Sequence, residues 1–125
     1  MNIGVTAARI DLGLIFFASG LSGFVFLFMP APPAPPGLAG VFQDVFFRSH
    51  WVQFVDGVQL IAGALLLANR YVALALILIA ANIANMVAFH ISMQPAGVIA
   101  PIVLLALWIV VANRHRASLM PLLTK

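Results

Sequence analysis

Apolar residues fill four long stretches of the chain, and short polar or proline-rich segments separate these stretches. They cover residues 10–29, 51–69, 72–91 and 98–113. Each approaches the length of about 20 residues that a helix needs to cross the hydrocarbon core of a bilayer. The pattern therefore predicts four membrane-spanning helices.

Between the first and second spans lie two segments of different composition, a proline-rich run and an amphipathic stretch. Residues 30–37 read PAPPAPPG, and because proline lacks an N–H donor and restricts its neighbours, this run predicts a stiff, non-helical connector. In residues 38–50, apolar residues recur at helical spacing among polar ones. This spacing predicts a short amphipathic helix in the membrane interface. Its apolar face contains Val41, Phe42, Val45 and Phe46.

The first span follows a short polar tail, which we expect to cover residues 1–8. A basic residue, Arg9, precedes the apolar run, as in a secretory signal peptide. Asp11 inside the run and the prolines after it disfavour cleavage, so we expect the span to be retained. Its small residues predict close packing against a neighbouring helix. They are Ser19, Gly20, Ser22 and Gly23.

Composition supports a membrane protein. Of the 125 residues, 64% are hydrophobic and 7% are charged, and the mean hydropathy is +1.14. A soluble domain of this size buries only about two thirds of its surface and could not hide so much apolar area. We predict an all-α integral membrane four-helix bundle, formed by residues 1–125 as a single domain. The absence of cysteine excludes disulfide and thiolate chemistry.

The charges predict the orientation in the membrane. With four spans, both termini and the Asn69-Arg70-Tyr71 turn lie on one side, which carries five basic residues, whereas the other side carries Arg48 alone. By the positive-inside rule, we expect both termini to be cytoplasmic. The membrane that we expect to hold the protein is the inner (plasma) membrane. The pI of 10.8 reflects this bias and does not indicate nucleic-acid binding. The five are Arg9, Arg70, Arg114, Arg116 and Lys125.

Two of the spans carry polar stripes. At about 100° per residue, Gln53, Asp56 and Gln59 fall within a sector of about 120° on the second span. A similar stripe runs along the third span. An ionised carboxylate facing lipid costs roughly 2.5–3.5 kcal/mol, so we expect the acid to face the interior. In the third span the stripe contains Asn82, Asn85 and His90.

The two stripes lie at matching depths and predict a cavity that opens outward under a roof formed by residues 38–49. Its groups suit a quinone headgroup, a small polar solute or a proton relay. In the alternative interpretation they only hydrogen-bond the helices together. No catalytic residue is assigned, and no metal site, since the acid and histidines have no diagnostic spacing. The candidate ligand or proton residues are His50, Gln53, Asp56, Gln59, Asn82, Asn85 and His90.

Several short motifs resemble the DoxX-like family. They are Arg9 before a span rich in small residues, Asp56-Gly57 followed by Gly63-Ala-Leu-Leu-Leu, the Asn69-Arg70-Tyr71 turn, and Asn85, Phe89-His90 and Pro95-x-Gly97. The resemblance covers nearly the whole chain and implies a four-helix membrane bundle associated with a quinone-linked redox system. The acid that is often Glu in the family is Asp56 here, and a proline run replaces the Lys that many members carry after the first span.

We therefore expect a small accessory subunit or partner of a membrane redox complex. The chain has no cysteine, haem motif or nucleotide fingerprint, so we expect a non-catalytic or only weakly catalytic protein without an intrinsic cofactor, and a quinone is the candidate ligand. Its expected partners are the lipid bilayer and other membrane subunits or a second copy of itself. The alternative is a small proton-coupled transporter that works as a homodimer.

Overall fold

The computed structural model describes residues 2–124, which form six α-helices and two short 3-10 helices and contain no strand. The predicted all-α class is confirmed. The α-helices are α1 (Ile3–Val25), α2 (Leu38–Arg48), α3 (Trp51–Leu67), α4 (Val72–Met93), α5 (Ile99–Arg114) and α6 (Arg116–Leu119), and the 3-10 helices are Pro95–Gly97 and Met120–Leu123.

Three or four of these helices could cross a membrane. α1, α4 and the continuous helical stretch Pro95–Arg114 are apolar and contain 23, 22 and 20 residues. α3 has 17 residues and would extend about 25 Å at about 1.5 Å per residue, slightly less than the apolar thickness of a bilayer. α2 and α3 qualify together as one broken span that is bent by 82°.

The first helix differs from its prediction at both ends. α1 begins at Ile3, so the predicted polar tail over residues 1–8 is wrong for the described part. The side chain of Asn2 accepts a hydrogen bond of 3.3 Å from the Val5 N–H and caps the helix. The helix ends at Val25 and not at residue 29. Pro30 disfavours helical backbone at the residue before it, which is consistent with this earlier end.

The helices pack in a closed arrangement. α1 contacts α3 and α5, and α4 contacts the same two helices. The most deeply buried side chains gather toward the end of the molecule where α3 turns into α4. Among them are Leu12, Phe16, Leu66, Leu76, Ile79 and Val111. Trp108 joins α5 to α4 there, because its indole N–H donates to the Leu76 carbonyl over 2.8 Å.

Glycines bring α1 and α3 into backbone contact. A Cβ atom added to Gly20 would lie 2.4 Å from the Leu60 nitrogen, and one added to Gly63 would lie 2.4 Å from the Phe17 nitrogen. Of the predicted small-residue patch, Gly20 and Gly23 are buried, whereas its two serines are exposed. Close approach therefore depends on the glycines.

The connection from α3 to α4 is the tight turn that the sequence predicts. Asn69 and Tyr71 adopt left-handed backbone conformations, with φ of 53° and 51°, and the Arg70 N–H donates to the Leu65 carbonyl over 3.0 Å. The nearby Arg9 guanidinium donates to the Leu66 carbonyl. Within residues 2–124 Arg9 makes no ion pair with Asp11. Arg9 instead binds the C-terminal end of α3, where the helix dipole favours a cation.

Candidate ligand-binding cavity

A cavity of about 870 Å³ lies between α3 and α4, at the end of these helices opposite their shared turn. Its volume falls within the range of about 300–1,000 Å³ that is usual for small-molecule sites. Aromatic and other apolar side chains form most of its wall, and amide, carboxyl and imidazole groups interrupt it. The aromatic residues are Phe42, Phe46, Trp51, Phe54 and Phe89, and the residues with polar side chains include Asp56, Gln59, Asn82, Asn85, His90 and Ser92.

The aromatic wall joins three helices. Phe42 of α2 packs against Phe89 of α4 with ring centroids 5.0 Å apart, and it stacks on Phe46 at 5.7 Å. On α3, Trp51 stacks on Phe54 at 4.8 Å. These distances are typical of favourable aromatic pairs. Through Phe42 and Phe89, α2 is held across one side of the cavity.

The proline connector helps to position α2. The Gln43 side-chain amide donates to the carbonyls of Pro32 and Pro33, over 2.9 and 3.3 Å. As predicted, residues 30–37 contain no helix. At the other end of α2 the chain bends through His50, which has a left-handed φ of 62° and is exposed. His50 does not line the cavity, contrary to its predicted place there.

Gln59 and Asn82 connect the two walls. Gln59 is 5% exposed, and its Nε2 donates to Asn82 Oδ1 over 3.3 Å. Asn82 Nδ2 in turn donates to the Leu78 carbonyl over 3.0 Å. Gln59 Oε1 is buried and has no hydrogen-bond partner within residues 2–124. An unpaired buried acceptor costs about 1–3 kcal/mol of stability, so a hydrogen-bond donor at this oxygen would stabilise the protein.

The donors and acceptors in this series of hydrogen bonds fix the orientation of the Gln59 and Asn82 amides. The Leu78 carbonyl can only accept, so the Asn82 nitrogen must face it. The Asn82 oxygen then faces Gln59, and only the Gln59 nitrogen can donate to it. Reversing either amide would bring two acceptors or two donors together. The free atom of the Gln59 amide is therefore its oxygen.

Asp56 and Gln53 both lie against α1. The Asp56 carboxyl group is next to Gly23, where an added Cβ would meet it. Asp56 also lines the cavity, and its carboxyl group makes no hydrogen bond with any residue that the structure describes. Gln53 Nε2 donates to the Gly23 carbonyl over 3.0 Å. Gln53 is outside the cavity lining, contrary to the prediction, and joins α3 to α1.

Asn85 and His90 line the cavity along α4 and bond within their own helix. Asn85 Nδ2 donates to the Ala81 carbonyl over 3.0 Å. His90 Nδ1 lies 2.7 Å from the Met86 carbonyl, so a neutral ring carries its proton on Nδ1 and leaves Nε2 as an acceptor. The ring packs against Gly97, where an added Cβ would lie 2.6 Å from His90 Cδ2. Neither side chain holds two helices together.

The structure thus places five of the seven predicted residues along one cavity, namely Asp56, Gln59, Asn82, Asn85 and His90. Sequence reasoning overlooked most of the aromatic wall. The helical spacing of Phe42 and Phe46 indicated an apolar face on α2, and their place near the predicted roof was the available signal. Phe89 follows Asn82 by about two helical turns and so shares the polar face of the third span, whereas nothing in the pattern distinguished Phe54 from residues that face lipid.

Within the described residues, no group of three or more His, Cys, Asp or Glu side chains is arranged to hold a metal ion. Comparisons with protein-family profiles, curated proteins and solved structures find no match to this chain. The resemblance to the DoxX-like family stays a prediction.

Proposed function

We propose that this protein binds an amphipathic, ring-headed ligand of the quinone type in the cavity between α3 and α4, as an accessory subunit of a quinone-linked membrane redox complex. The observation that carries the proposal is the composition of the cavity wall. Five aromatic side chains line a space that can hold a planar ring. Asp56 and Gln59 of α3 and Asn85 of α4 line the same space and supply polar groups for hydrogen bonds to such a ring.

Hydrogen bonding within the cavity favours a ligand role over a purely structural one. The polar stripes join helices at two places, Gln59 with Asn82 and Gln53 with the Gly23 carbonyl. Asn85 and His90 bond only to their own helix, and Asp56 bonds to no described residue. If interhelical bonding were their role, these three side chains would be expected to reach a neighbouring helix.

We further propose a four-helix bundle of the DoxX-like type in the inner membrane, with both termini cytoplasmic. α1, α3, α4 and α5 are the spans in this arrangement, and α2 is an interfacial helix on the outer side. The 82° bend between α2 and α3 supports such a placement, as does the contact of Phe42 with Phe89. The cavity would then open in the outer half of the bilayer.

The test is direct binding of a decyl-substituted benzoquinone, titrated into purified protein by calorimetry, with empty detergent micelles subtracted. Ala81 lines the cavity, whereas Ala84, one helical turn away, is exposed outside it. Ala81→Phe should fill the cavity and weaken binding at least about ten-fold, and Ala84→Phe should bind as the native protein does. Absence of saturable binding by the native protein would overturn the proposal.

The accessory role needs a second experiment. Solubilisation of native membranes in mild detergent, followed by affinity purification, should recover a larger redox enzyme with this chain. Recovery of a lone monomer or dimer would contradict that role and leave the ligand site to be judged by the titration.

A small proton-coupled transporter that works as a homodimer is the second candidate, and the position of Asp56 favours it. The carboxyl group lies at the cavity without a hydrogen-bond partner among the described residues, so it is available to bind and release a proton. Under this hypothesis Asp56→Asn abolishes solute uptake driven by a pH gradient in liposomes. Under the subunit hypothesis the native protein shows no such uptake.

A further inference from the structure

A groove runs along the last turns of α5, where the chain turns back beside this helix. At His115 the backbone leaves the α-helix, and the C-terminal segment (residues 116–123) then lies beside α5. The groove between them has a volume of about 250 Å³. Most of the side chains that line it are apolar. They are Trp108, Ile109 and Ala112 of α5, and Leu119, Met120 and Leu123 of the C-terminal segment.

The apolar part of the groove faces outward from the molecule. Ile109, Met120 and Leu123 are 53%, 54% and 81% exposed, so their side chains are open to whatever surrounds the protein. α5 belongs to a helical stretch that is long and apolar enough to cross a membrane. In a bilayer, the groove would therefore be in contact with lipid acyl chains.

The remaining lining of the groove is polar and comes from Asn113 and Arg116. Arg116 is exposed, and its guanidinium makes no ion pair within residues 2–124. A guanidinium can donate two parallel hydrogen bonds to a phosphate, and the Asn113 amide can add a further donor. The groove thus combines a phosphate-binding group with an apolar surface.

The surroundings of Arg116 are positively charged. Arg114 and His115 precede it, and Arg9 belongs to the same cluster: after burial, the charges of Arg114 and Arg9 lower the pKa of His115. Only one of the three acids in the chain, Asp11, lies in this half of the molecule. An anion is therefore favoured at this end of the groove.

We propose that this groove binds an anionic phospholipid, with its phosphate at Arg116 and Asn113 and part of one acyl chain between α5 and the C-terminal segment. Such a lipid matches both parts of the groove. An inorganic phosphate would leave the apolar part uncovered, and a zwitterionic lipid would bring its own cation to the basic cluster. In the proposed orientation the lipid belongs to the cytoplasmic leaflet, whose surface is negative. The proposal is independent of the quinone-type site at the opposite end of the long helices.

The test uses phospholipids with bromine atoms on their acyl chains, because bromine quenches tryptophan fluorescence at short range. The chain has two tryptophans, and Trp51 lies at the opposite end, so the full-length Trp51→Phe protein reports on Trp108 alone. Brominated phosphatidylglycerol, titrated into this protein in detergent micelles, should quench Trp108 saturably. It should bind about five-fold or more tightly than brominated phosphatidylcholine.

Two matched pairs of variants locate the site. Arg116 lines the groove and Arg114 does not, although both are exposed. Arg116→Gln should reduce the preference for phosphatidylglycerol to near unity, and Arg114→Gln should keep most of it. Leu123 lines the groove and Leu122 does not, so Leu123→Ser should weaken the binding of both lipids about three-fold or more, and Leu122→Ser should leave it unchanged. Circular dichroism and gel filtration verify that each variant is folded.

Several results would overturn the proposal. Quenching that does not saturate, or equal affinity for the two lipids, would show that the groove does not select an anionic lipid. Equal losses in Arg114→Gln and Arg116→Gln would assign the preference to the general charge of this end of the molecule. Displacement of the lipid by inorganic phosphate would assign the site to free phosphate. None of these results bears on the quinone titration, so the two proposals succeed or fail separately.

Discussion

Gly63 is one of the residues where α1 and α3 come into backbone contact, and it supports the first prediction. A Cβ atom at this position would lie 2.4 Å from the Phe17 nitrogen and 2.8 Å from the Gly13 oxygen, and backbone atoms cannot move aside as a side chain can. Gly63→Ala should force the helices apart and lower the free energy of unfolding by roughly 1–3 kcal/mol. Denaturant unfolding in detergent, followed by circular dichroism, measures this loss.

Gly57 provides the matched control in the same helix. Its added Cβ would meet only Phe24 Cζ, at an ordinary contact distance of 3.6 Å. Alanine is the better helix former by roughly 0.5–1 kcal/mol, so Gly57→Ala should be neutral or stabilising. Equal losses in the two variants would contradict the assigned role of close packing at Gly63.

His115 follows α5 on the side that carries the basic residues, and its environment predicts a pH dependence. Burial, and then the charges of Arg114 and Arg9, lower the pKa of His115 from 6.5. Since the unfolded chain binds the proton more readily, the contribution of His115 to stability is complete above that ordinary pKa. It is lost as the pH falls through the folded-state pKa.

The melting temperature of the native protein should therefore fall further than that of His115→Gln between about pH 7.5 and pH 5. The difference should be small because the imidazole is only partly buried. Scanning fluorimetry at several pH values measures it. Parallel melting curves for the two proteins would contradict the assigned role of the histidine.

At the scale of elements, Gln43 is the link between α2 and the proline connector. Gln43→Leu removes the donors to Pro32 and Pro33 and should loosen the first turn of α2. Each lost hydrogen bond is worth about 1 kcal/mol, so we expect amide exchange in α2 to be at least about five-fold faster. Hydrogen exchange with mass spectrometry measures this rate.

Asp44→Asn is the control, one residue along the same helix. It breaks the Asp44–Arg48 pair, whose side chains are 54% and 79% exposed. Such exposed pairs contribute about 1 kcal/mol or less, so exchange should hardly change. If the control exchanged as fast as Gln43→Leu, the contact with the prolines would not be what holds α2.

The sequence predicted the elements well where local chemistry dominates. Prolines fixed the connector over residues 30–37, and the spacing of Val41, Phe42 and their neighbours predicted α2 to within two residues of its end at Arg48. It missed the start of α1 because a single capping residue, Asn2, decides it. It extended the second span to residue 69, whereas the left-handed Asn69 terminates the helical backbone earlier.

The site was harder to predict because periodicity identifies a face and not the neighbour that covers it. Gln53, Asp56 and Gln59 share a sector of about 120°, which is wide enough to meet two helices. Gln53 lies at one edge and bonds to α1, Gln59 lies at the other edge and bonds to α4, and Asp56 lies between them. Only the packing of α1, through Gly23, decides which side chain is withdrawn from the cavity.

At the scale of the whole molecule, the two ends of the long helices differ. The end with the Asn69–Tyr71 turn holds the tightly packed core, and there Arg9 binds the Leu66 carbonyl. The opposite end holds the cavity and α2. Basic residues that predict the cytoplasmic side thus belong to the tightly packed end, so the proposed orientation directs the end with the cavity outward.

This orientation predicts which surface positions an impermeant reagent can reach. The native sequence has no cysteine, so a single introduced cysteine reports its own position. Ala31 in the proline connector and Ala117 in α6 are both exposed and lie at opposite ends. In right-side-out membrane vesicles, a charged maleimide should label Ala31→Cys and spare Ala117→Cys until detergent is added.

The labelling also bears on access to the cavity. The reverse pattern would place the cavity in the inner leaflet, where a ligand would exchange with cytoplasmic partners, and it would contradict the proposed topology. Labelling of both positions in sealed vesicles would show that the charge bias does not fix one orientation. If only Ala31→Cys reacts, the bent α2–α3 pair faces outward, and a partner that exchanges a ligand with the cavity would have to reach the outer half of the bilayer.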